Sequence, residues 1–278
     1  MREVIKLILR KMGLIVVRSG GRQQTSRGAI NFSPPAKLHY QELKFVENVL
    51  RVYITEFGGK SGHYATYKQV KRYLSTERLV NQARIARLAV NYMSEGVDKK
   101  TEVAVLDWGC GTGYLLRAFA EAVGNGVSTR LVGYDPGEMA QALAPLMCAG
   151  ASVTGDGAKL KKLKYDVIFC TQVFEHLEKP EVLFKELQNR LNHNGILLIS
   201  VPDGRYDVSP ARERNELSGS YVGHINFWSP ESWDIWVTAN SLNSCEAVVG
   251  FDDSLGNIAL IKRAEGSERA VSENYVPK

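Results

Sequence analysis

The stretch Val-Ala-Val-Leu-Asp-Trp-Gly-Cys-Gly-Thr-Gly-Tyr at residues 103–114 decides the fold of this chain. Its first four residues form an apolar run that predicts a buried strand, and Asp107 follows at the end of that run. Glycines then stand at every second position, and an amphipathic helix is predicted from Tyr114 onward. Such a turn lets a ligand lie against the main chain at a helix N-terminus. The stretch therefore predicts a ligand site where the first strand of an α/β sheet passes into its helix.

The spacing of the glycines separates two kinds of nucleoside ligand. Dinucleotide sites use Gly-x-Gly-x-x-Gly, in which the third glycine allows the helix to pack closely on the strand. Counted from Gly109, the sixth position is Tyr114, and counted from Gly111 it is Leu116. The pattern therefore favours another nucleoside-type ligand over a nicotinamide or flavin dinucleotide.

The order Asp107-x-Gly109-x-Gly111-x-Gly113 resembles the first motif of the class I S-adenosylmethionine-dependent methyltransferases, Asp-x-Gly-x-Gly-x-Gly. This resemblance covers residues 100–264 and implies S-adenosylmethionine as the cofactor. It also implies a Rossmann-like, seven-stranded, mostly parallel sheet, with the last strand antiparallel between strands five and six.

The hydrophobic pattern predicts a doubly wound α/β fold, because strand and helix signals alternate from Glu102 onward. Asn194-Gly195 is expected to end the helix that begins at Pro180. The predicted strands are 102–107, 130–134, 152–154, 165–170, 196–201, 246–251 and 258–262, and the predicted helices are 40–57, 77–93, 114–123, 139–148, 180–191 and one from Pro230, capped by Ser229. We expect a basic N-terminal segment (1–30), a helical cap (31–100), the binding core (101–264) and a frayed tail (265–278).

Polar residues directly after the strands are candidates for cofactor binding, because ligands of open α/β sheets bind at the carboxyl ends of the strands. Asp135 is placed to accept hydrogen bonds from ribose hydroxyls, or it starts a turn. The resemblance implies adenine contacts for Asp156 and a role for Asp107 at the methionine end; Asp156 can equally be a turn residue, and Met139 is an adenine contact or a core residue. The full predicted set is Asp107, Gly109, Cys110, Gly111, Gly113, Tyr114, Asp135, Pro136, Met139, Asp156, Gly157, Ala158, Thr171, Gln172 and Val173.

Two histidines are candidates for catalysis. His176 lies in the Glu-His-Leu sequence after strand four, which is common in the small-molecule and quinone methyltransferases that this chain resembles. His224 lies in the segment after strand five that borders the acceptor pocket in the same families. A histidine can take a proton from an acceptor hydroxyl near neutral pH. The alternative is that His176 only packs or caps a helix, and Glu175 beside it is expected to be structural.

The net charge of +5 is confined to the N-terminus, where residues 1–30 carry seven basic side chains and one acidic one. The rest of the chain is close to neutral, so nucleic acid is not an expected partner. Residues 1–17 are expected to form either a basic amphipathic helix on an anionic membrane surface, with contact through residues 1–22, or a helix docked on its own domain. The four cysteines are scattered without Cys-x-x-Cys, which indicates neither zinc nor disulfides, so no metal is expected and a cytoplasmic location fits.

These residues together predict methyl transfer from S-adenosylmethionine to a small-molecule or glycan-like acceptor, at oxygen. An aminopropyltransferase or another nucleoside-using enzyme on the same fold is one alternative, and a non-catalytic S-adenosylmethionine-binding protein is another. No Asn-Pro-Pro-Tyr sequence follows strand four, which disfavours the amino-group methylators of DNA and protein. The acceptor pocket is expected between residues 58–75 and 203–228, neither of which shows a clear pattern.

Overall fold

A computed structural model describes residues 40–57, 67–93, 102–124, 126–160, 163–207, 213–215 and 220–264. Expectations for residues 1–30 and 265–278, including membrane contact through residues 1–22, lie outside this part of the chain. Within it, the helices are α1 (Tyr40–Phe57), α2 (Tyr67–Tyr73), α3 (Thr76–Met93), α4 (Tyr114–Val123), α5 (Glu138–Met147), α6 (Pro180–Asn189) and α7 (Pro230–Asn240). The strands are β1 (Glu102–Trp108), β2 (Ser128–Tyr134), β3 (Ser152–Thr154), β4 (Tyr165–Thr171), β5 (Leu191–Val201), β6 (Glu213–Asn215), β7 (Ser220–Val222), β8 (Cys245–Asp252) and β9 (Gly256–Arg263).

Seven strands form one sheet in the order β3-β2-β1-β4-β5-β9-β8. Strands β1 to β5 pair in parallel, whereas β9 pairs antiparallel with both β5 and β8. This is the predicted doubly wound, mostly parallel sheet with its last strand inserted antiparallel, so the predicted fold class is confirmed. The strand order reverses at β1, and in open α/β sheets ligands bind beyond the carboxyl ends of the strands at that point.

Helices cover both faces of the sheet, so its central strands are buried on both sides. Val103, Val105 and Leu106 of β1 are fully buried, which is why the sequence there is a continuous apolar run rather than an alternating one. Buried residues of α1 and α3 belong to the same hydrophobic core as Val105. A buried ion pair between Arg84 of α3 and Asp252 of β8, 2.7 Å long, also joins α3 to the sheet.

Two details of the chain path differ from the sequence prediction. The predicted helix 180–191 ends at Asn189, and β5 begins at Leu191, because the carbonyl of Arg190 already accepts the N–H of Tyr165 at 2.9 Å. The prediction that Asn194-Gly195 ends that helix is therefore wrong. Asn194, at φ 60°, instead lies within β5, where the register with β4 shifts.

The second difference concerns the two segments that showed no pattern. Residues 203–228 contain a small antiparallel hairpin formed by β6 and β7, and residues 67–73 form the helix α2. Both elements are very short, so too few residues repeat for a period to be visible in the sequence. Among the described helices, none is long and apolar enough to span a membrane.

Candidate active site at the carboxyl edge of the sheet

The glycine loop, residues 109–113, turns directly after β1. Its three glycines have positive φ angles of 83°, 47° and 77°, a region that side-chain-bearing residues rarely adopt. The N–H groups of Gly109 and Cys110 donate to the carbonyl of Tyr134 at 2.7 and 3.0 Å, which fastens the loop to the end of β2. The alternating glycines therefore serve a tight turn whose shape is fixed by the neighbouring strand.

The surroundings of the three glycines differ. A Cβ atom added to Gly109 would lie 2.4 Å from Cγ2 of Val173, and one added to Gly113 would lie 2.9 Å from the Cα atom of Ala144 in α5. A Cβ atom on Gly111 would meet nothing within 4 Å. The loop is thus packed tightly at both ends and open in the middle, where a ligand could lie against the main chain.

Asp135, at the end of β2, organises the loop. Its Oδ2 accepts the N–H of Gly111 at 3.0 Å, and its Oδ1 accepts the N–H of Gly137 at 2.8 Å. Burial raises the pKa of this carboxyl, and the two backbone hydrogen bonds oppose that rise. Asp135 therefore lies at the glycine loop, as its position after β2 requires, while its predicted contact with ribose stays a prediction.

Asp107 is an unusual carboxyl at the start of the same loop. Its side chain is 2% exposed, and Oδ1 has no hydrogen-bond partner. Burial, and secondarily the charge of Asp135, raise the pKa of Asp107 to about 8. A buried carboxyl beside a second one is a favourable environment for a cationic group, which would offset the cost of ionisation.

The raised pKa of Asp107 predicts a pH-dependent stability. The unfolded chain loses this proton at an ordinary carboxyl pKa of about 4, so the folded protein holds an extra proton between about pH 4 and pH 8. The free energy of unfolding should therefore fall as the pH rises through this window and change no further above it. Asp107→Asn should remove part of that slope in urea unfolding, whereas Asp253→Asn, an exposed control, should keep it. An unchanged slope in the Asp107 variant would contradict the assignment.

The loop after β3 holds the predicted adenine contacts. Asp156 is exposed, and its Oδ1 accepts the N–H of Ala158 at 2.9 Å, which is the turn geometry considered as the alternative for this residue. Gly157 lies against the Tyr134 and Trp108 rings, since an added Cβ would be 3.4 and 3.6 Å from them. The structure thus places Asp156 in a turn at the sheet edge, and its role toward adenine stays a prediction.

The other predicted cofactor residues have different surroundings. Met139 and Tyr114 are buried in the core, and the charge of Glu42 adds to burial in raising the pKa of Tyr114. Cys110 is buried with its Sγ directed toward Gly133, so its main chain and not its thiol faces the open part of the loop. Pro136 is exposed at the edge.

The segment 171–177 continues from β4 and joins the glycine loop to the histidines. Gln172 has φ 56°, and its N–H donates to the carbonyl of Ser200 at 2.8 Å. A non-glycine residue in this region costs about 1–2 kcal/mol, and such strain is common in ligand sites. Thr171 is half-buried, and Val173 packs against Gly109, so a short 3₁₀ helix, Phe174–His176, begins beside the loop.

The structure brings the two predicted catalytic histidines together. The ring centroids of His176 and His224 are 4.7 Å apart, with the ring planes at 74°. Nδ1 of His176 donates to the carbonyl of Gly223 at 2.6 Å, and Nδ1 of His224 contacts Oδ2 of Asp207. In the neutral tautomer that these acceptors select, each ring carries its lone pair on Nε2.

Glu175 lies beside the two histidines and forms a cluster with them. It is 1% exposed, and neither carboxylate oxygen has a hydrogen-bond partner. Its Oε1 lies 4.0 Å from Nε2 of His176. Burial raises the pKa of Glu175 to about 8; the residue's own backbone N–H opposes this rise, and the charge of Asp207 adds a smaller increase. A buried carboxyl without a hydrogen-bond partner is costly, and the expectation that Glu175 is structural stays a prediction.

Main-chain hydrogen bonds hold the two histidine-bearing segments in place. The carbonyl of Glu175 accepts the N–H groups of Ile225 and Asn226 at 2.8 and 3.1 Å. The Asn226 side chain donates to the carbonyls of Phe174 and Leu177 at 3.0 and 2.6 Å. The sequence prediction missed Asn226 and Asp207, because no strand or helix pattern marks their positions.

Comparison with known proteins identifies the family. A family model described as a methyltransferase domain matches residues 56–244, which is more than half of the chain. The chain belongs to this methyltransferase family. The predicted family, the class I S-adenosylmethionine-dependent methyltransferases, and its cofactor are confirmed.

Two curated relatives share part of this methyltransferase chain. The malonyl-[acyl-carrier protein] O-methyltransferase of Halalkalibacterium halodurans is 32% identical over 134 residues, which are 44% of this chain and 47% of the relative. The tRNA U34 carboxymethyltransferase of Campylobacter jejuni is 28% identical over 116 residues, which are 39% of this chain and 38% of the relative. The chain thus spans less than half the length of these relatives.

Solved structures agree with the methyltransferase fold. The plantazolicin methyltransferase BpumL in complex with SAH superposes with a TM-score of 0.53 at 16% identity, covering 81% of this chain and 98% of that one. The CurJ carbon methyltransferase gives a TM-score of 0.52 at 14% identity, covering 95% of this chain and 79% of that one. At this level of identity, the likeness shows the fold alone.

The residues present fit S-adenosylmethionine. The glycine loop is open at Gly111. Asp107 precedes this loop in the sequence, and its buried Oδ1 has no hydrogen-bond partner. The methionine part of the cofactor carries an ammonium and a sulfonium. The buried carboxyl of Asp107 and the half-buried carboxyl of Asp135 favour a positively charged ligand. Asp107, Asp135 and the main chain of the glycine loop are thus the groups of this methyltransferase suited to hold the cofactor.

Proposed function

We propose that this chain transfers the methyl group of S-adenosylmethionine to an oxygen atom of a small-molecule or glycan-like acceptor. One observation carries the proposal: Val173 packs directly on Gly109, and three residues later His176 lies with Glu175 and His224 in one cluster. The residues suited to the cofactor and those suited to an acceptor hydroxyl therefore lie side by side at one edge of the sheet.

The cofactor, when bound, supplies a methyl group on a sulfonium that is already a good leaving group. The chain then has to hold the acceptor oxygen in line, and such positioning is worth up to about 7–11 kcal/mol. A bond forms between the acceptor oxygen and the methyl carbon, and the electron pair of the S–C bond stays on sulfur. The hydroxyl proton passes to Nε2 of His176, which carries a lone pair because Nδ1 donates to Gly223.

Oxygen is favoured over nitrogen as the acceptor atom by the presence of this cluster. An amine that is neutral needs no base before it attacks, whereas a hydroxyl gains from one. Aromatic side chains flank the cluster in sequence, since Tyr206 precedes Asp207 and Phe227 follows Asn226, and both rings are exposed. Exposed rings of this kind suit the faces of a sugar or a flat apolar acceptor.

Family membership favours methyl transfer over the aminopropyltransferase alternative, and measured turnover would exclude a non-catalytic binding protein. One curated relative is named as a malonyl-[acyl-carrier protein] O-methyltransferase and another as a tRNA U34 carboxymethyltransferase. Because their acceptors differ, the proposed acceptor class depends on the cluster of Glu175, His176 and His224 and on the charge of the chain. Outside residues 1–30 the chain is close to neutral, which argues against a nucleic-acid acceptor. A cytoplasmic protein that contacts the membrane through residues 1–22 stays a prediction.

Calorimetric titration with S-adenosylmethionine tests the cofactor site. Asp135→Ala should weaken binding by about 10- to 100-fold, because hydrogen bonds to a charged group are worth about 1.5–3 kcal/mol. The change also leaves the N–H groups of Gly111 and Gly137 without their acceptor, so unfolding should be measured in parallel. Asp253→Asn is the control carboxylate. Equal affinity of the folded Asp135 variant and the wild type would remove Asp135 from the site.

Transfer of a labelled methyl group to a panel of phenols, sugars and carboxylic acids tests the acceptor class. Label on a hydroxyl oxygen supports the proposal. Label on amines or on tRNA alone would overturn it.

A further inference from the structure

The cluster of Glu175, His176 and His224 has a second possible use. One ligand atom from each of the three side chains can be chosen so that all of them lie within 4.8 Å of one another. Two imidazole nitrogens and one carboxylate oxygen are a common donor set for divalent transition metals. No sequence pattern indicated such a site, because the expectation that no metal is bound depended on cysteine spacing alone.

The hydrogen bonds behind the two histidines are those of metal ligands. A ligating histidine donates its other ring N–H to a carboxylate or to a backbone carbonyl, which fixes the tautomer and the ring orientation. His176 donates from Nδ1 to the carbonyl of Gly223, and His224 contacts the Asp207 carboxylate through Nδ1. The Gly223 carbonyl thus orients one ring and the Asp207 carboxylate the other, and in both rings the selected tautomer carries the lone pair on Nε2.

Glu175 supplies an independent observation. Its carboxylate is 99% buried, both oxygens lack a hydrogen-bond partner, and Oε1 points to within 4.0 Å of Nε2 of His176. Buried carboxylates are normally paired with a charge, hydrogen-bonded, or bound to a metal. A cation between Glu175 and the two rings would provide the missing partner.

We propose that Glu175, His176 and His224 bind a divalent transition-metal ion of the Mn²⁺ to Zn²⁺ series, with Asp207 and the carbonyl of Gly223 orienting the two histidines. Ligand atoms bound at about 2.0–2.2 Å require a contraction of the cluster by about 1 Å. The rings are 29% and 19% exposed, so the ion would keep open positions toward solvent and the acceptor. Imidazole ligands disfavour Mg²⁺ and Ca²⁺.

The catalytic use of this ion rests on the proposed function, whereas its binding does not. The open positions would take an acceptor hydroxyl, and coordination lowers the pKa of a bound hydroxyl so that its proton leaves to solvent. The ion would then replace Nε2 of His176 in preparing the oxygen for methyl transfer. A hydroxyl with a second oxygen on the neighbouring carbon fits best, because it can fill two open positions at once.

Titration of the full-length, chelator-treated protein with Co²⁺ and Mn²⁺ tests the site. Calorimetry should give one binding site, Co²⁺ should develop visible absorption of a nitrogen- and oxygen-coordinated ion, and Mn²⁺ should show nitrogen couplings in pulsed electron paramagnetic resonance. Asp207→Asn should weaken binding by about 10- to 100-fold. Glu175→Gln and His176→Ala should weaken it further. Glu175→Gln is nearly isosteric, and circular dichroism of each variant is the test of its folding.

His193→Ala is the matched control, because His193 is exposed and outside the cluster. Its metal affinity should equal that of the wild type. A folded His176→Ala or Glu175→Gln protein that binds Co²⁺ like the wild type would overturn the proposal, as would the absence of any binding below millimolar concentrations. S-adenosylmethionine titrated into the metal-free protein separates the two hypotheses: if it binds while Co²⁺ does not, the metal site alone is wrong.

Discussion

Gly113→Ala should lower the free energy of unfolding by about 2–5 kcal/mol, the combined cost of a left-handed alanine and of overpacking. Gly113 has φ 77°, and an added Cβ would lie 2.9 Å from the Cα and 3.0 Å from the carbonyl oxygen of Ala144. These are backbone atoms of α5, so no change of side-chain rotamer relieves the contact. Either α5 or the glycine loop has to move.

Gly111→Ala is the matched control in urea unfolding. It has the same strain of a positive φ angle but no atom within 4 Å of the added Cβ, so it should cost only about 1–2 kcal/mol. Ala144→Gly should restore Gly113→Ala only in part, because the backbone contacts remain. Equal destabilisation by the Gly113 and Gly111 substitutions would mean that helix packing does not require a glycine at position 113.

The glycine at position 113 also explains why the dinucleotide pattern fails in this chain. In the dinucleotide motif the third glycine allows the helix to lie close to the strand. Here Gly113 is the residue approached closely, by Ala144 of α5, and Tyr114 begins α4 as a buried core residue. The chain therefore places its close backbone contact one residue before the position that the dinucleotide motif uses.

The sequence predicted the elements whose patterns are local. The apolar run of β1, the glycine loop and Asp135 after β2 each depend on neighbouring residues and on the topology of an α/β sheet. Helix α6 was extended too far, because its end is decided by a hydrogen bond between Arg190 and Tyr165, residues 25 positions apart in the printed sequence. Such a contact leaves no trace in a local pattern.

The acceptor side of the site shows the same limit more strongly. His176 and His224 were each identified by resemblance, but their contact joins two segments separated by β5 and the hairpin of β6 and β7. Asp207 can be recognised as part of the site only from its contact with His224. Glu175 can be recognised only because its buried oxygens have no hydrogen-bond partner. A buried carboxylate beside two oriented imidazoles is a property of packing, which single-residue patterns cannot express.

His176→Ala should lower kcat by about 10²- to 10⁴-fold, the usual range for a positioned acid or base. The Kd for S-adenosylmethionine should stay unchanged, because the His176 ring contacts Gly223, His224 and Glu175, which lie outside the glycine loop. Single-turnover kinetics with an acceptor found by labelled transfer, together with calorimetry, measure the two quantities. His193→Ala is the control, and a parallel loss of kcat and cofactor affinity in the His176 variant would contradict this role.

Chelation decides how His176 acts in that reaction. If Nε2 takes the proton itself, wild-type turnover survives removal of metal, and the His176→Ala loss is the same with and without chelator. If Nε2 holds an ion, chelation lowers wild-type turnover toward that of the variant, and Mn²⁺ or Co²⁺ restores the wild type only. At the metal concentration that restores the wild type, Asp207→Asn should remain less active. More metal ion should restore it, because the change weakens the site without removing a ligand.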